Sequence, residues 1–399
     1  MDPQAHVERL PARTPPRSAT GVSGWVRANF FGGPGNTAAT ILFGGLLAWA
    51  LPPAFNWLAG NAVWHADYAA CRALDHAGAC WGFVTEKWRL ILFGRYPYAE
   101  QWRPLAATAI VIAALVVTAI PAFWRRWLGW LWGAALAAFF VLMSGGVIGL
   151  TRVDTGLWGG LPLTVLLTLV GMGASIPIGI LLALARRSEL PLLRSMATLY
   201  IELVRGVPLI TVLFTASFVF PLLLPQGVRL DVLTRVALGI VLFQAAYMAE
   251  VVRGGLQALP KGQYEAAGAL GLSWWRTQQK VILPQALTLV IPSFVNSLLS
   301  TFMDTSLVTV VSMYDLTGAL RLALGDPQWR NFFFEGYVFV ALIYFTCCFA
   351  MSRYSHRLDH RLGRWTRHYA SDRRARFRSD HPSQPRQQVV WLLPRPEGH

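Results

Sequence analysis

Three sets of residues in this sequence have types and spacings that could do chemistry. Asn296, Ser300 and Asp304 recur every four residues inside an apolar run, so they share one helix face. Gln244, Tyr247 and Glu250 make a similar stripe on a second apolar segment, and Thr164, Thr168 and Ser175 make a looser one on a third. Polar groups in such surroundings are costly unless they meet water, a solute or one another. Passage of a small polar solute is the chemistry they fit. Hydrogen bonding between neighbouring helices is the plainer use, and it suits the threonines and serines better than Asp304, whose carboxylate is harder to bury. Catalysis finds no foothold. No Cys/His cluster has metal-site spacing, and no G-x-x-x-x-G-K-[ST] phosphate loop occurs, so the reading includes no metal, no cofactor and no enzyme activity.

The elements that must position these residues are long apolar segments. Of 399 residues 54% are hydrophobic and only 14% charged, with a mean hydropathy of +0.43, too little polar surface for a soluble protein of this size. Eight segments each supply roughly the twenty apolar residues needed to cross about 30 Å of hydrocarbon. They are Ala38–Leu58, Pro104–Phe123, Leu128–Leu150, Gly159–Ala185, Leu199–Leu224, Leu233–Val252, Leu287–Met303 and Phe332–Met351. The fifth is interrupted by Arg205-Gly206-Val207-Pro208. The fold class expected is all-α and membrane-integral. Residues 1–37 and 354–399 read as polar, arginine-rich tails, the first of them disordered.

One polar stretch, residues 253–284, sits between two of these spans. Pro260 opens a short helix with Gln263 and Glu265 in its first turn, where the helix dipole favours negative charge. Gly262, Ala266, Ala267 and Ala269 keep its surface small; Gly271 is placed to end it, and Ser273 to cap a second helix from Trp274. Two short helices at a sharp corner, lined by small residues, make a knuckle on which another protein could dock. By composition alone an ordinary loop is an equal reading.

The spacing of Glu265-Ala266-Ala267, Gly271, Val281 and Leu283-Pro284 resembles the EAA signature of ABC-importer permeases, with Val281 where isoleucine is usual. Further runs in the same order, among them YIELVRGVP, AAYMAEVVRGG, ILPQAL and DTSLV, resemble the polar-amino-acid branch of histidine- and glutamine-permease type across about Gly156 to Arg353. The N-terminal third resembles the larger permease of general L-amino-acid importers. The resemblance implies a five-helix permease core (156–353), preceded by a three-helix extension (38–155) with a periplasmic loop at 61–103. It implies that Gly262, Glu265, Ala266, Ala267, Gly271, Leu283 and Pro284 couple the chain to an ATP-binding subunit. It also implies a periplasmic amino-acid-binding protein, a bacterial inner membrane, and a second permease subunit, which the extension points to as a different chain. Relatives commonly carry lysine before the Asp-Thr-Ser-Leu run, where this chain has Met303. Asp304 then lacks a local counter-ion, and it heads the candidate substrate path with Asn296, Ser300, Gln244 and Thr168.

The net charge of +15 is concentrated near the ends and in short loops, as expected for arginines marking the cytoplasmic side rather than for nucleic-acid binding. With both tails inside, Arg125-Arg126, Arg186-Arg187 and the knuckle fall in the cytoplasm, and the loops at 61–103, 151–158, 225–234 and 305–331 face outward. Cys71 and Cys80 could pair in such an outer loop or stay reduced. Trp64, Trp81, Trp88 and Trp102 suit either a membrane interface or packing within that loop. Glu202/Arg205 and Glu250/Arg253, three apart, read as structural ion pairs. The alternative of another class is a secondary transporter driven by an ion gradient, which calls for inverted repeats and paired intramembrane charges that the sequence does not clearly carry.

Overall fold

A computed structural model describes residues 21–380 apart from 76, 125, 126 and 148, with side chains described to 358 except that of 121. The expected tail over 1–20, the Arg125-Arg126 turn and the tail beyond 380 lie outside the described residues. The chain forms two compact units that divide after Glu86.

In the first unit, α1 (Gly21–Phe30) precedes α2 (Pro34–Phe55), so the polar segment expected to be a tail is helical from Gly21. Pro34 sits in the first turn of α2, where its missing N–H costs nothing. Helix α2 continues through a π-turn, Asn56–Gly60, and no residue of either is buried. Ile41, Leu42, Leu46, Leu47 and Trp49 are all exposed, as on a lipid-facing span. Asp67 caps α3 (Tyr68–Ala73) by accepting from the N–H groups of Ala69 and Ala70 at 2.9 and 3.1 Å. The choice left open by the sequence is decided here: Cys71 and Cys80 are disulfide-bonded, with Cα atoms 5.4 Å apart. Trp64 stacks on Trp81, whose Nε1 donates to the Leu58 carbonyl, so these two indoles pack within their own loop.

Helix α4 (Gly82–Phe93) leads to α5 (Trp102–Ala119), which packs on α6 (Leu128–Ser144). Their Val111, Phe139 and Met143 join one apolar core with Leu163, Leu167, Val236 and Ile240 of α7 (Gly160–Arg186) and α10 (Val232–Gln257). Arg103 is fully buried at the base of α5; it donates to the carbonyls of Leu142 (2.6 Å) and Thr151 (2.9 Å) and lies 3.6 Å from Glu100. Helix α6 stops at Ser144, short of the expected Leu150, because Gly145 and Gly146 turn to φ of 62° and 79°.

Helices α7 and α10 make the most extensive helix pair, and glycines let them touch. A Cβ on Gly171 would lie 2.6 Å from Ile240 Cγ2, and one on Gly179 would lie 2.5 Å from Met248 Cβ. The fifth expected span is not one helix. It is α8 (Pro191–Arg205) and, bent by 105°, a segment of α9 (Leu209–Phe214) continued to Leu223. Pro208 has no N–H to continue α8 and disfavours helix at Val207, which accounts for the break. The knuckle comprises α11 (Gly262–Ala269) and α12 (Trp274–Thr277). A π-turn, Gln278–Ile282, then runs into α13 (Leu283–Asp304), so the seventh span starts at the knuckle rather than at Leu287. After α14 (Leu316–Ala323), α15 (Phe333–Asp380) extends far past Met351, since the first proline beyond that point is Pro382. Among the described residues six helices are long and apolar enough to cross a membrane, or seven with the bent pair; α6, at 17 residues, is shorter.

Candidate functional site

The knuckle is built by local backbone chemistry. Glu265 lies in the first turn of α11, whose N-cap residue Lys261 offers no side-chain cap, and its carboxylate sits at the positive end of the helix dipole. The helix ends in a Schellman motif: the Leu272 N–H donates to the Ala267 carbonyl (3.2 Å) and the Gly271 N–H to that of Gly268 (2.9 Å). Gly271 takes φ +69°, the left-handed corner anticipated from its type. Ser273 holds the extended N-cap conformation, although its hydroxyl makes no capping bond. Ala267 turns inward; Glu265, Ala266, Leu270 and Gly271 are exposed, and no atom lies within 4 Å of a Cβ built on Gly271.

Behind the knuckle, packing ties it to the spans. Ile282 and Ala286 are fully buried against Ala183, Leu184, Val252 and Leu256, with Tyr264 and Leu283 packed on the same cluster. Gln285 on α13 donates to Gln263 Oε1 on α11 at 3.3 Å, while Pro284 is exposed in the first turn of α13. Arg187, at the end of α7, donates to the Tyr264 hydroxyl at 3.0 Å and lies 5.6 Å from its ring centroid.

Glu250 centres an ion cluster at this end of α10. It accepts from Arg186 at 2.5 Å and from Arg253 at 2.8 Å, and Arg205 lies 3.6 Å away. The sequence-spaced Glu250/Arg253 pair is therefore real. Glu202 differs from expectation, because it pairs with Arg186 at 2.8 Å while Arg205 turns to Glu250. Spacing of three permits a pair on one helix, but the approach of α7 and α10 to α8 offers both groups better-placed partners. Sequence reasoning missed Arg186 as the bridge, for which pairing across helices leaves no local signal.

The proposed path residues fall into two places. Asn296 and Ser300 are exposed along α13, and Asp304 is half-buried at the end of the same face. Thr301, next to Ser300 but turned toward α7, is buried, and its methyl would lie 3.6 Å from a Cβ on Gly171. Gln244 and Thr168 are instead buried on α10 and α7. Thr168 donates to the Thr164 carbonyl at 2.7 Å, and Ser175 to that of Met172, so these hydroxyls are satisfied within their own helix. Asp315, also missed, is fully buried. It accepts from the Gly318 N–H (2.8 Å) and the Tyr344 hydroxyl (3.0 Å), and burial holds its carboxyl above the usual carboxylate range. The signal was present: Asp315 precedes the helical run Leu316–Ala323, the position of an N-cap.

Comparison with known proteins adds the following. Residues 175–364 match the family model described as binding-protein-dependent transport system inner membrane component. The chain is 45% identical over 363 residues to the inner membrane amino-acid ABC transporter permease protein YhdY of Escherichia coli (strain K12), covering 87% of this chain and 96% of that protein. It is 38% identical over 426 residues to the glutamate/glutamine/aspartate/asparagine transport system permease protein BztC of Rhodobacter capsulatus, covering 90% and 98%. Among solved structures, an amino acid ABC transporter with histidines is 28% identical, with a TM-score of 0.46, over 51% of this chain and 92% of that one.

Proposed function

The chain belongs to the binding-protein-dependent inner-membrane permeases, in their polar amino-acid branch, and we propose on that premise how it couples ATP hydrolysis elsewhere to solute passage. It is a membrane-spanning permease subunit of an ATP-driven amino-acid importer. Its sequence carries no phosphate-binding loop, so a separate ATPase subunit supplies the energy. A binding protein outside the bacterial inner membrane delivers the amino acid, and a second permease, a different chain, supplies the other wall of the path.

The observation that carries this reading is the knuckle itself: an exposed corner of small residues, stiff by its Schellman closure and open at Gly271. The ATPase docks there. Movement of α11 passes to α13 through Gln263–Gln285 and the Ile282/Ala286 cluster, and to α7 through Arg187–Tyr264. Because these helices are close-packed, they move as a body rather than bending. That motion turns the α13 face bearing Asn296, Ser300 and Asp304, where the substrate's ammonium meets Asp304. The test is uptake of labelled polar amino acids by vesicles holding both permeases and the ATPase. Uptake is expected only with ATP inside and binding protein outside. Uptake that persists without ATP and follows an imposed ion gradient would overturn the reading.

A further inference from the structure

At the other end of α7 and α10, about 40 Å from the knuckle by helix length, a second place is built for a ligand. The first turn of α10, a 3-10 turn at Thr155–Leu157 and Val311–Met313 line a half-open cavity of about 340 Å³. This volume is at the small end of the range for small-molecule sites. Two cations and two anions line it: Arg95, Arg235, Asp154 and Asp231. None is ion-paired with another among the described residues. Each is held by neutral groups instead. Arg95 donates to the Gly156 carbonyl at 2.7 Å and lies 4.9 Å from the Tyr314 ring centroid. Arg235 donates to the Ser217 carbonyl, Asp154 accepts from the Gly156 N–H at 2.8 Å, and Asp231 accepts from the hydroxyls of Thr155 and Thr234.

The side chains are thus positioned without being mutually neutralised. A second observation points the same way. Trp158, on the same wall, is 3% exposed, and its indole N–H has no acceptor among the described residues. A buried donor left unpaired is rare unless a ligand or water completes it. An anion alone would face two carboxylates here, a cation two guanidinium groups, and an apolar molecule four charges. A molecule carrying both signs satisfies the set.

From this mixed, unpaired lining we propose that the cavity is a second binding site for a free zwitterionic amino acid, its carboxylate on Arg95 and Arg235 and its ammonium on Asp154 and Asp231. The inference rests on the amino-acid-importer reading and adds an entry site distinct from the α13 face. Arg95 comes from the part of the chain preceding α5, which gives that part a role in the site. The chain there is fitted closely: a Cβ on Gly160 would lie 2.1 Å from the Leu92 carbonyl oxygen, and one on Gly94 2.6 Å from Gly159 Cα.

The test uses the complete permease–ATPase assembly in lipid nanodiscs, without binding protein. The probe is whichever of L-glutamine, L-glutamate and L-arginine the importer takes up fastest, with its N-acetyl and α-carboxamide derivatives. Saturable binding is expected, weakened about tenfold or more by either derivative. Arg95→Gln should abolish the preference for the free carboxylate over the carboxamide, and Asp231→Asn the preference for the free ammonium. Arg95→Lys should retain binding within about threefold. If uptake by vesicles supplied with ATP and binding protein is intact but neither preference moves in these variants in nanodiscs, or if Asp304→Asn alone removes the nanodisc binding, the site does not exist. If none of the three amino acids is taken up, the importer reading falls and this site with it.

Discussion

Replacing Gly271 separates the cost of folding the knuckle from the cost of docking on it. At φ +69° an L side chain pays about 1 to 2 kcal/mol for the left-handed conformation. No atom within 4 Å would obstruct its Cβ, so no overpacking is added. The Schellman bonds run through backbone atoms and survive the change. Gly271→Ala should therefore lower the melting temperature by only a few degrees, and Gly271→Asn by less, because asparagine tolerates this conformation. Gly271→Asp should fold like the alanine variant, yet it places a charge on the surface assigned to the ATPase. The assay pairs thermal unfolding of the purified assembly with ATP-dependent uptake and with ATPase stimulation by the binding protein. The expected pattern is three well-folded variants, of which Gly271→Asp alone loses uptake and stimulation. Full activity in that variant would remove the docking role. A large loss of stability in Gly271→Ala would show instead that the corner packs into the fold, against the open space seen here.

Three further outcomes are expected. Glu250→Gln leaves Arg186, Arg205 and Arg253 without their shared carboxylate; because these arginines are 24 to 36% exposed and Arg186 keeps Glu202, a loss of about 1 to 2 kcal/mol is expected, read as a lower melting temperature. Asp304→Asn should slow transport while sparing assembly, and Met303→Lys should reduce uptake of cationic amino acids more than of acidic ones. Unchanged substrate ranking in both variants would make Asp304 a packing residue. Single cysteines at Gly227 and Gln328, both exposed, should react with an impermeant reagent added outside, whereas Cys71 should label only after reduction of its bond to Cys80. Labelling of the two engineered sites only after the membrane is breached would invert the assigned orientation.

Much of the fold was legible because membrane helices answer to local rules. Twenty apolar residues make a span wherever they occur. The corner at Gly271 was readable because a left-handed residue is a requirement of the backbone, indifferent to distant neighbours. Boundaries were less legible where a stop signal acts within a span. Gly145-Gly146 ends α6 early, and Pro208 breaks the fifth span through 105°. The interruption at Pro208 was read from the sequence, though not its angle, whereas hydropathy averaged over a window passes over the φ angles of Gly145-Gly146.

Pairings between helices were legible only in part. Spacing of three joined Glu250 to Arg253 correctly and Glu202 to Arg205 wrongly, since the rotation of α7 against α8 and α10 decided which arginine met which carboxylate. The same rotation put Gln244 and Thr168 inside the helix packing and left Asn296 and Ser300 exposed on α13. The buried Arg103 and the cavity bounded by Arg95, Asp154, Asp231 and Arg235 likewise depend on segments distant in the chain. By itself, then, the sequence determined the membrane-helical class, the left-handed corner at Gly271 and the family, all of which follow from composition, motifs and backbone demands over a few residues. Tertiary structure alone decided which polar groups meet, because helix rotation is set by how surfaces such as Gly171 on Ile240 and Gly179 on Met248 interlock, and no local spacing encodes that fit.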